Sequence, residues 1–267
     1  MGSAPNSDLV SALVEAGVVD VSSLSRLLSS KRLVVIEDED QTILRALDKA
    51  MGSPLFSSQS SSYVLPAKGV GNFRALAQLG SVISGLAGTK FDMVFIQDRD
   101  GLPDFMTADF VDSQKGDGVG VELLERHEIE SYLLEPKLIE AAAKKAKRKV
   151  TAKNAEEAIF KAADALRAAA RMKCRETAKG VNRHLTAKKR KEADLEVQSD
   201  EWFDKLNLKS LDVVRAVFPG KELLKESLKI LNDGQSPALT MGQLVAALEA
   251  EFIADDMKKL LTTAAST

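Results

Sequence analysis

The sequence predicts an α/β fold: a largely parallel, Rossmann-like sheet flanked by helices, with an inserted, mainly helical subdomain. Three observations point there. Apolar runs of strand length, Arg32 to Ile36, Tyr63 to Pro66 and Phe91 to Gln97, alternate with stretches of helical apolar spacing, the pattern of βαβ units. The first and third runs end abruptly in acid, Glu37 to Asp40 after one and Asp98 with Asp100 after the other. The stretch from Pro136 to about Asp194 then changes character, becoming basic and alanine-rich, with Ile159, Ala162, Ala163, Leu166, Ala169 and Ala170 at helical spacing.

These signals give an expected order of a helical lead-in over 1–30, a core over 31–135, a basic helical insertion over 136–212, and a segment over 213–267 that completes the core. Residues 7 to 16 have helical apolar spacing and stop at Gly17, and Ser22 to Ser29 makes a second short helix. The first strand follows, then a helix to about Met51 whose apolar face is Ile43, Leu44 and Leu47. Gly52-Ser-Pro breaks that helix, and the serines from Ser57 to Ser62 lead into the second strand.

Lys68 to Asn72 holds a Gly-x-Gly that could bring backbone N–H groups close to a phosphate, but the rest of either nucleotide fingerprint is absent and a plain turn is the better reading. A helix from Phe73 to about Leu86 precedes the third strand. After Asp100, the Gly101 to Asp104 and Gly116 to Gly120 stretches read as flexible, and a mixed pattern resumes at Val121. Within the insertion, Asn154 with Glu157 has the spacing of a capping box. Ser199 begins a further helix, and helices over Lys221 to Leu231 and Thr240 to Phe252 close the chain.

At 267 residues and 45% hydrophobic, the chain can bury a sizeable core, as one large domain or two small ones. No apolar run reaches the roughly 18 to 20 residues that span a bilayer, and no signal-peptide core stands at the amino terminus, so a soluble cytoplasmic protein is expected. Met1-Gly2-Ser3 reads as an expression remnant. Cys174 is the one cysteine, which rules out an internal disulfide and a thiolate zinc site; its helical, alanine-rich setting gives it a structural role.

The net charge of −2 hides a segregation. From Lys137 to Asp194 there are 18 basic and 7 acidic residues, an excess of 11 positive charges, leaving 19 basic against 32 acidic elsewhere. One part attracts a polyanion and another concentrates cations. The run Lys188, Lys189, Arg190, Lys191 is the densest patch for phosphate contact; solvated helices kept soluble by lysine are the plain alternative.

The two acidic clusters carry the candidate chemistry. Alternate residues of a strand share a face, so Asp98 and Asp100 are expected to project together. Carboxylates held that close repel, and the repulsion is relieved by a proton or by a cation such as Mg²⁺ or Mn²⁺, which favour oxygen ligands. In an open α/β sheet ligands gather at the carboxyl ends of strands, so both clusters face one crevice if their strands are neighbours. Acids in such places also serve as helix caps. His127 and His184 lack a paired metal-ligand spacing and read as surface or packing residues.

Lys221, at the amino end of a helix, is opposed by the helix dipole; a negative charge developing nearby would explain it, as would simple exposure. Carboxylates, a basic patch and a late lysine suit phosphodiester hydrolysis by bound metals. No Ser-His-Asp or Cys-His arrangement competes, and no G-x-x-x-x-G-K-[ST] loop is present.

The runs Val34 to Asp40, Gln97 to Asp100, and His127 to Leu133 with its Ile-Glu-x-Tyr-Leu resemble the TOPRIM domain of the OLD-family nucleases. Phe218 to Leu224 resembles the lysine-bearing segment of the class 2 members. The resemblance covers most of residues 30 to 232. It implies a TOPRIM core that cuts DNA with two divalent ions, Mg²⁺ or Mn²⁺, with Ca²⁺ able to occupy the sites. Glu37 is then the first glutamate, Asp98 and Asp100 the D-x-D ligands, Glu130 a further ligand and Lys221 the catalytic lysine.

It also implies an ABC-type ATPase ahead of this nuclease half, which as a fragment is expected to be monomeric. One departure stands out. The family's acid four residues after the first glutamate is Gln41 here, with Asp40 one residue earlier, so either Asp40 takes the metal role or the second site has a neutral ligand.

A response-regulator receiver is the alternative from another class, since Val34 to Asp40 and Asp92 to Asp98 resemble its acidic pair and phospho-acceptor strand, with Asp98 as acceptor. It would need neither Asp100, nor the Ile-Glu-x-Tyr-Leu segment, nor the basic insertion. Other TOPRIM enzymes are a nearer alternative. Topoisomerase activity would need a nucleophilic tyrosine from elsewhere, because Tyr63 and Tyr132 fall within or beside expected core elements, and a primase would need cysteines for zinc that are missing.

Overall fold

The structure is a computed structural model that describes residues 30, 32–38, 40–57, 60–67, 92–114, 119–185 and 188–265. The expected helices over 7 to 16, 22 to 29 and 73 to 86, and the Gly-x-Gly of Lys68 to Asn72, lie outside the described residues. The chain divides into two compact units. The first comprises 1–97, 115–122 and 257–267, and the second comprises 98–114 and 123–256.

In the first unit the apolar runs become strands. β1 (Arg32–Ile36), β2 (Ser62–Pro66), β3 (Asp92–Gln97) and β4 (Val119–Leu123, its last residue assigned to the second unit) form one all-parallel sheet in the order β2-β1-β3-β4. Strands covered on both faces need continuous apolar sequence, and Leu33, Val34 and Val35 are wholly buried. β1 pairs in parallel with both β2 and β3, with Ile36 level with Ile96, so the strands leading to the two acidic runs are neighbours. The reversal of strand order around β1 is where open α/β sheets bind ligands.

Helix α1 (Thr42–Met51) buries Ile43, Leu44 and Leu47, and ends at Gly52 in the left-handed conformation (φ 65°). Its buried Asp48 accepts from the N–H groups of Leu55 and Phe56, which fixes the return towards β2.

In the second unit, α2 (Asp104–Gln114) follows β3, and a 3-10 segment (Ile129–Leu133) follows β4. Then come α3 (Pro136–Lys145), α4 (Ala152–His184), α5 (Glu192–Asp204), α6 (Leu211–Val217), α7 (Gly220–Asn232) and α8 (Met241–Ala247). A last helix, α9 (Asp255–Ala265), returns the chain to the first unit, where Ser62 Oγ donates to the carbonyl of Ala264. The 33-residue α4 is the spine of the second unit, against which α2, α3, α5, α6 and α7 pack. Its small residues Ala155, Ala158, Ala162, Ala170, Cys174 and Ala178 are all buried and let those neighbours approach closely. Among the described residues no helix is long and apolar enough to cross a membrane.

Several local expectations change. The cap of α4 is Thr151, whose hydroxyl accepts from the N–H of Asn154 while the Asn154 side chain accepts from Thr151, so the box lies three residues earlier than the Asn154-Glu157 reading. α5 begins at Glu192, where acids in the first turn suit the dipole. Ser199 lies inside that helix, buried, with its hydroxyl returned to the carbonyl of Leu195. Of the two stretches read as flexible, Gly101 to Asp104 runs directly into α2 and Gly116 to Gly120 overlaps the start of β4; Met106 of α2 with Leu102 anchors a core shared with Ala178, Leu185 and Leu195. The expected Thr240–Phe252 helix stops at Ala247, because Leu248 is extended before a short 3-10 turn over Ala250–Phe252.

Candidate metal centre

The site in the second unit is made by backbone more than by strand alternation. β3 ends at Gln97, and the chain turns at once: Asp100 has φ 53° and Gly101 φ 71°. Asp98 and Asp100 therefore do not share a face as alternate strand residues, which corrects the geometric argument for pairing them. Aspartate is among the residues that enter this left-handed region most readily. Gly101 is required twice, by its φ and by space, since a Cβ there would stand 3.2 Å from Cys174 Sγ and 3.3 Å from His127 Nε2.

Hydrogen bonds lock the turn against the segment before the 3-10 helix. The N–H of Asp100 donates to the carbonyl of His127 at 2.8 Å, and the N–H of His127 donates to the carbonyl of Arg215 at 2.9 Å. From α4, Thr177 Oγ1 donates to the Asp100 carbonyl at 2.8 Å. Arg215, itself buried, donates to the carbonyl of Leu134 and to Glu135, so α6 is clamped to the far end of the same segment.

The result brings one ligand atom from each of Asp100, His127 and Glu128 within 4.8 Å of the others. His127 is 1% exposed, and neither ring nitrogen has a hydrogen-bond partner. Burial, with Lys173 and Arg99 nearby, pushes its pKa down to about 3, so the ring is neutral and able to offer a lone pair. Glu128 is pushed up to about 7, mainly by burial, with Glu130, Glu222 and Asp100 adding negative charge; the hydrogen bond from Lys221 opposes the shift. Lys173 Nζ lies 3.3 Å from Asp100 Oδ1 and supplies one positive charge.

Helix α7 is delivered to this cluster by Gly220. A Cβ there would stand 2.3 Å from Ser131 Oγ and 3.0 Å from Glu128 Cγ, so only glycine permits the approach. The N–H of Lys221 then donates to Glu128 Oε1 at 2.6 Å, and Lys221 Nζ lies 3.9 Å from Glu130 Oε1. This accounts for a lysine in the first turn of a helix: two carboxylates offset the dipole. The Lys221 side chain is 76% exposed, free to reach a bound anion.

The expected site residues thus distribute unevenly. Asp100, Glu130 and Lys221 gather in the second unit around His127 and Glu128. Asp98 is half-buried in the same unit and is not one of the three clustered ligands. Glu37 and Asp40 belong to the first unit, where Asp40 Oδ1 accepts from the N–H of Thr42 at 2.9 Å and so serves the start of α1. Gln41 accepts from Arg45.

His127, Glu128 and Lys173 were not selected from sequence. His127 next to a glutamate, immediately before the Ile-Glu-x-Tyr-Leu stretch, was the available signal, but its partner Asp100 stands 27 positions away and only the fold joins them. The donor set of two carboxylates and one buried, unpartnered imidazole fits a divalent cation, and the imidazole departs from the all-oxygen set that Mg²⁺ favours.

Neighbouring reactive groups are quiet. Cys174 is buried and its thiol is pushed up to about 12, which leaves it inert at neutral pH. Tyr132 is buried under the Arg126 guanidinium, donates to Asp256, and has its phenol pKa raised by burial. In the basic run, Lys188 and Arg190 both pair with Asp109, at 2.8 and 2.9 Å, and hold its carboxyl below the usual range; Lys189 and Lys191 are exposed. No protein-family model, curated protein or solved structure matches the chain.

Proposed function

We propose that the chain is a divalent-metal-dependent DNA endonuclease of TOPRIM type. The observation that carries the reading is the Asp100, His127 and Glu128 cluster, three ligand atoms within 4.8 Å, with the amide of Lys221 bonded to one of its carboxylates. Asp100 and Glu128 would hold the ion, with Asp98 and Glu130 as the further carboxylates of the same unit. Glu37 and Asp40 enter through the resemblance alone. A bound divalent ion supplies water activation and stabilisation of the leaving oxygen.

The chain's own residues do the rest. Glu128 and Glu130 steady the first turn of α7, and that turn aims Lys221 outwards, where its ammonium can neutralise charge building on a phosphate. The basic face of 137–194 supplies the sequence-independent attraction for a polyanion.

The test is supercoiled plasmid incubated with the purified chain in Mg²⁺, Mn²⁺ or EDTA. Nicked and linear products that require metal are expected. Asp100→Asn should lower the rate by on the order of 100-fold with its thermal transition close to that of the wild type, because loss of the Lys173 ion pair offsets the relief of carboxylate repulsion. Lys221→Ala should lower turnover on the order of 10²-fold, the scale of losing one charge-stabilising donor, with little change in metal affinity. No cutting with any metal, or full activity in Asp100→Asn, would overturn the proposal.

A further inference from the structure

A buried histidine normally satisfies at least one ring nitrogen through a backbone carbonyl, a carboxylate or a hydroxyl. His127 satisfies neither, although it is 1% exposed and held rigidly by backbone bonds on both sides, its N–H to Arg215 and its carbonyl from Asp100. Its ring is also one corner of the group with Asp100 and Glu128. Two independent facts therefore converge on one place: a set of convergent ligand atoms, and a buried lone pair with nothing to receive it.

We infer that His127 is a nitrogen ligand, with Asp100 and Glu128, of a centre that takes a transition-series divalent ion in preference to Mg²⁺ or Ca²⁺. The dimensions suit it. Three nitrogen and oxygen ligands spread evenly at about 2.0 to 2.2 Å around one ion stand roughly 3.5 to 3.8 Å apart, so atoms within 4.8 Å of one another close on it when each moves inward by about 0.6 to 0.8 Å.

The chemistry suits it as well. Mg²⁺ and Ca²⁺ favour oxygen and gain little from imidazole, whereas affinity for a mixed nitrogen and oxygen set rises from Mn²⁺ through Co²⁺ to Ni²⁺ and Cu²⁺. Lys173, 3.3 Å from Asp100, already places a cation on the cluster, and an incoming ion would displace it.

This rests on the reading of the cluster as a cation site, and not on which bond the protein cuts. The test uses the intact chain, metal-free at first, loaded with Mn²⁺ and examined by pulsed electron paramagnetic resonance for nitrogen coupling from a coordinated imidazole. The chain has two histidines, so His184→Gln serves as the internal control. Coupling is expected in the wild type and in His184→Gln, and its absence in His127→Gln. Equilibrium dialysis should show Mn²⁺ and Co²⁺ binding at least ten-fold tighter than Mg²⁺, and that preference falling close to one in His127→Gln.

Should His127→Gln fail to fold, the wild type and His184→Gln still decide. Mn²⁺ bound without nitrogen coupling, coupling lost in His184→Gln, or no metal bound at all each overturns the inference. Coupling without plasmid cleavage would leave the inference standing and remove the nuclease reading. Cleavage with Mg²⁺ and Mn²⁺ bound equally and no coupling would do the reverse.

Discussion

Two charged regions of the second unit differ in what balances them. In the Asp100, His127 and Glu128 cluster, the two half-buried carboxylates meet one ammonium at 3.3 Å and one helix amide, while the buried imidazole has no partner. In the Lys188 to Lys191 run, Lys188 and Arg190 share the carboxylate of Asp109, and Asn182 braces the backbone of Arg190 from both sides. The first region is short of positive charge, and the second has much of its charge already engaged. Charge density along a chain is therefore a poor guide to reactivity. Desolvated groups left without partners are the better guide, because folding tolerates their cost only where something else depends on them.

The largest expected effect follows from the buried imidazole. His127 has its pKa depressed from 6.5 to about 3, so the unfolded chain binds its proton first as pH falls. The stability this group contributes is present above pH 6.5 and is lost between 6.5 and 3, on the order of 5 kcal/mol in total. Glu128 has the opposite sign. Its pKa is raised from 4.5 to about 7, so its contribution is present below pH 4.5 and is lost as pH rises through 7.

Between pH 4.5 and 6.5 the two oppose each other. Chemical unfolding of the metal-free protein should show Glu128→Gln gaining stability with pH over that window relative to the wild type, and His127→Gln losing it. Parallel curves for all three proteins would mean that neither group is buried as described, and the contrast between the two regions would collapse.

Gly220→Ala comes next. The added methyl group would meet Ser131 Oγ at 2.3 Å and Ser131 N at 2.9 Å, so α7 must retreat from the 3-10 segment. A cost of about 1 to 3 kcal/mol is expected, the usual scale for overpacking a close contact. The retreat should also break the Lys221 to Glu128 hydrogen bond, so cleavage should fall by more than the folded fraction does. Thermal melts read the first effect and specific activity of the folded protein the second. Retained activity would show that the cluster does not depend on α7.

The division between legible and illegible parts of the molecule follows the reach of each interaction. The apolar runs predicted β1 and β3 because burial on both faces of a central parallel strand leaves a contiguous signal, and the half-buried edge strand β2 was marked by its short apolar run after the serines. α1 and α7 were equally plain, since an apolar face repeats every turn. The acid-rich ends of β1 and β3 marked where to look, and Asp100, Glu130 and Lys221 came from short motifs. Hidden were the contacts that only tertiary structure creates. The turn at Asp100 replaces the alternation that a strand would impose, and the Asp100 to His127 backbone bond joins two loops. The Gly220 contact makes a helix amide part of the cluster. Asp109, within a helix not read from sequence, is what occupies half of the basic run.

The smallest effect sharpens the other side of the comparison. Asp109→Asn removes the carboxylate that Lys188 and Arg190 share, while Asn182 and the Phe105 ring, 5.7 Å below the Arg190 guanidinium, keep that arginine in place. Two cations would then be released for phosphate. Each added phosphate contact steepens the dependence of log K on log salt by about 0.9, so the slope should grow by up to about 2, with affinity for duplex DNA rising several-fold at low salt. Lys189→Gln with Lys191→Gln should shift the slope by a similar amount in the opposite direction, since those two are exposed. Fluorescence anisotropy across a salt series reads both. If Asp109→Asn leaves the slope unchanged while the lysine pair flattens it, Lys188 and Arg190 are structural cations bound to α2, and only the outer two lysines of the run meet nucleic acid. If neither variant moves the slope, the run is a solvated turn that does not meet nucleic acid.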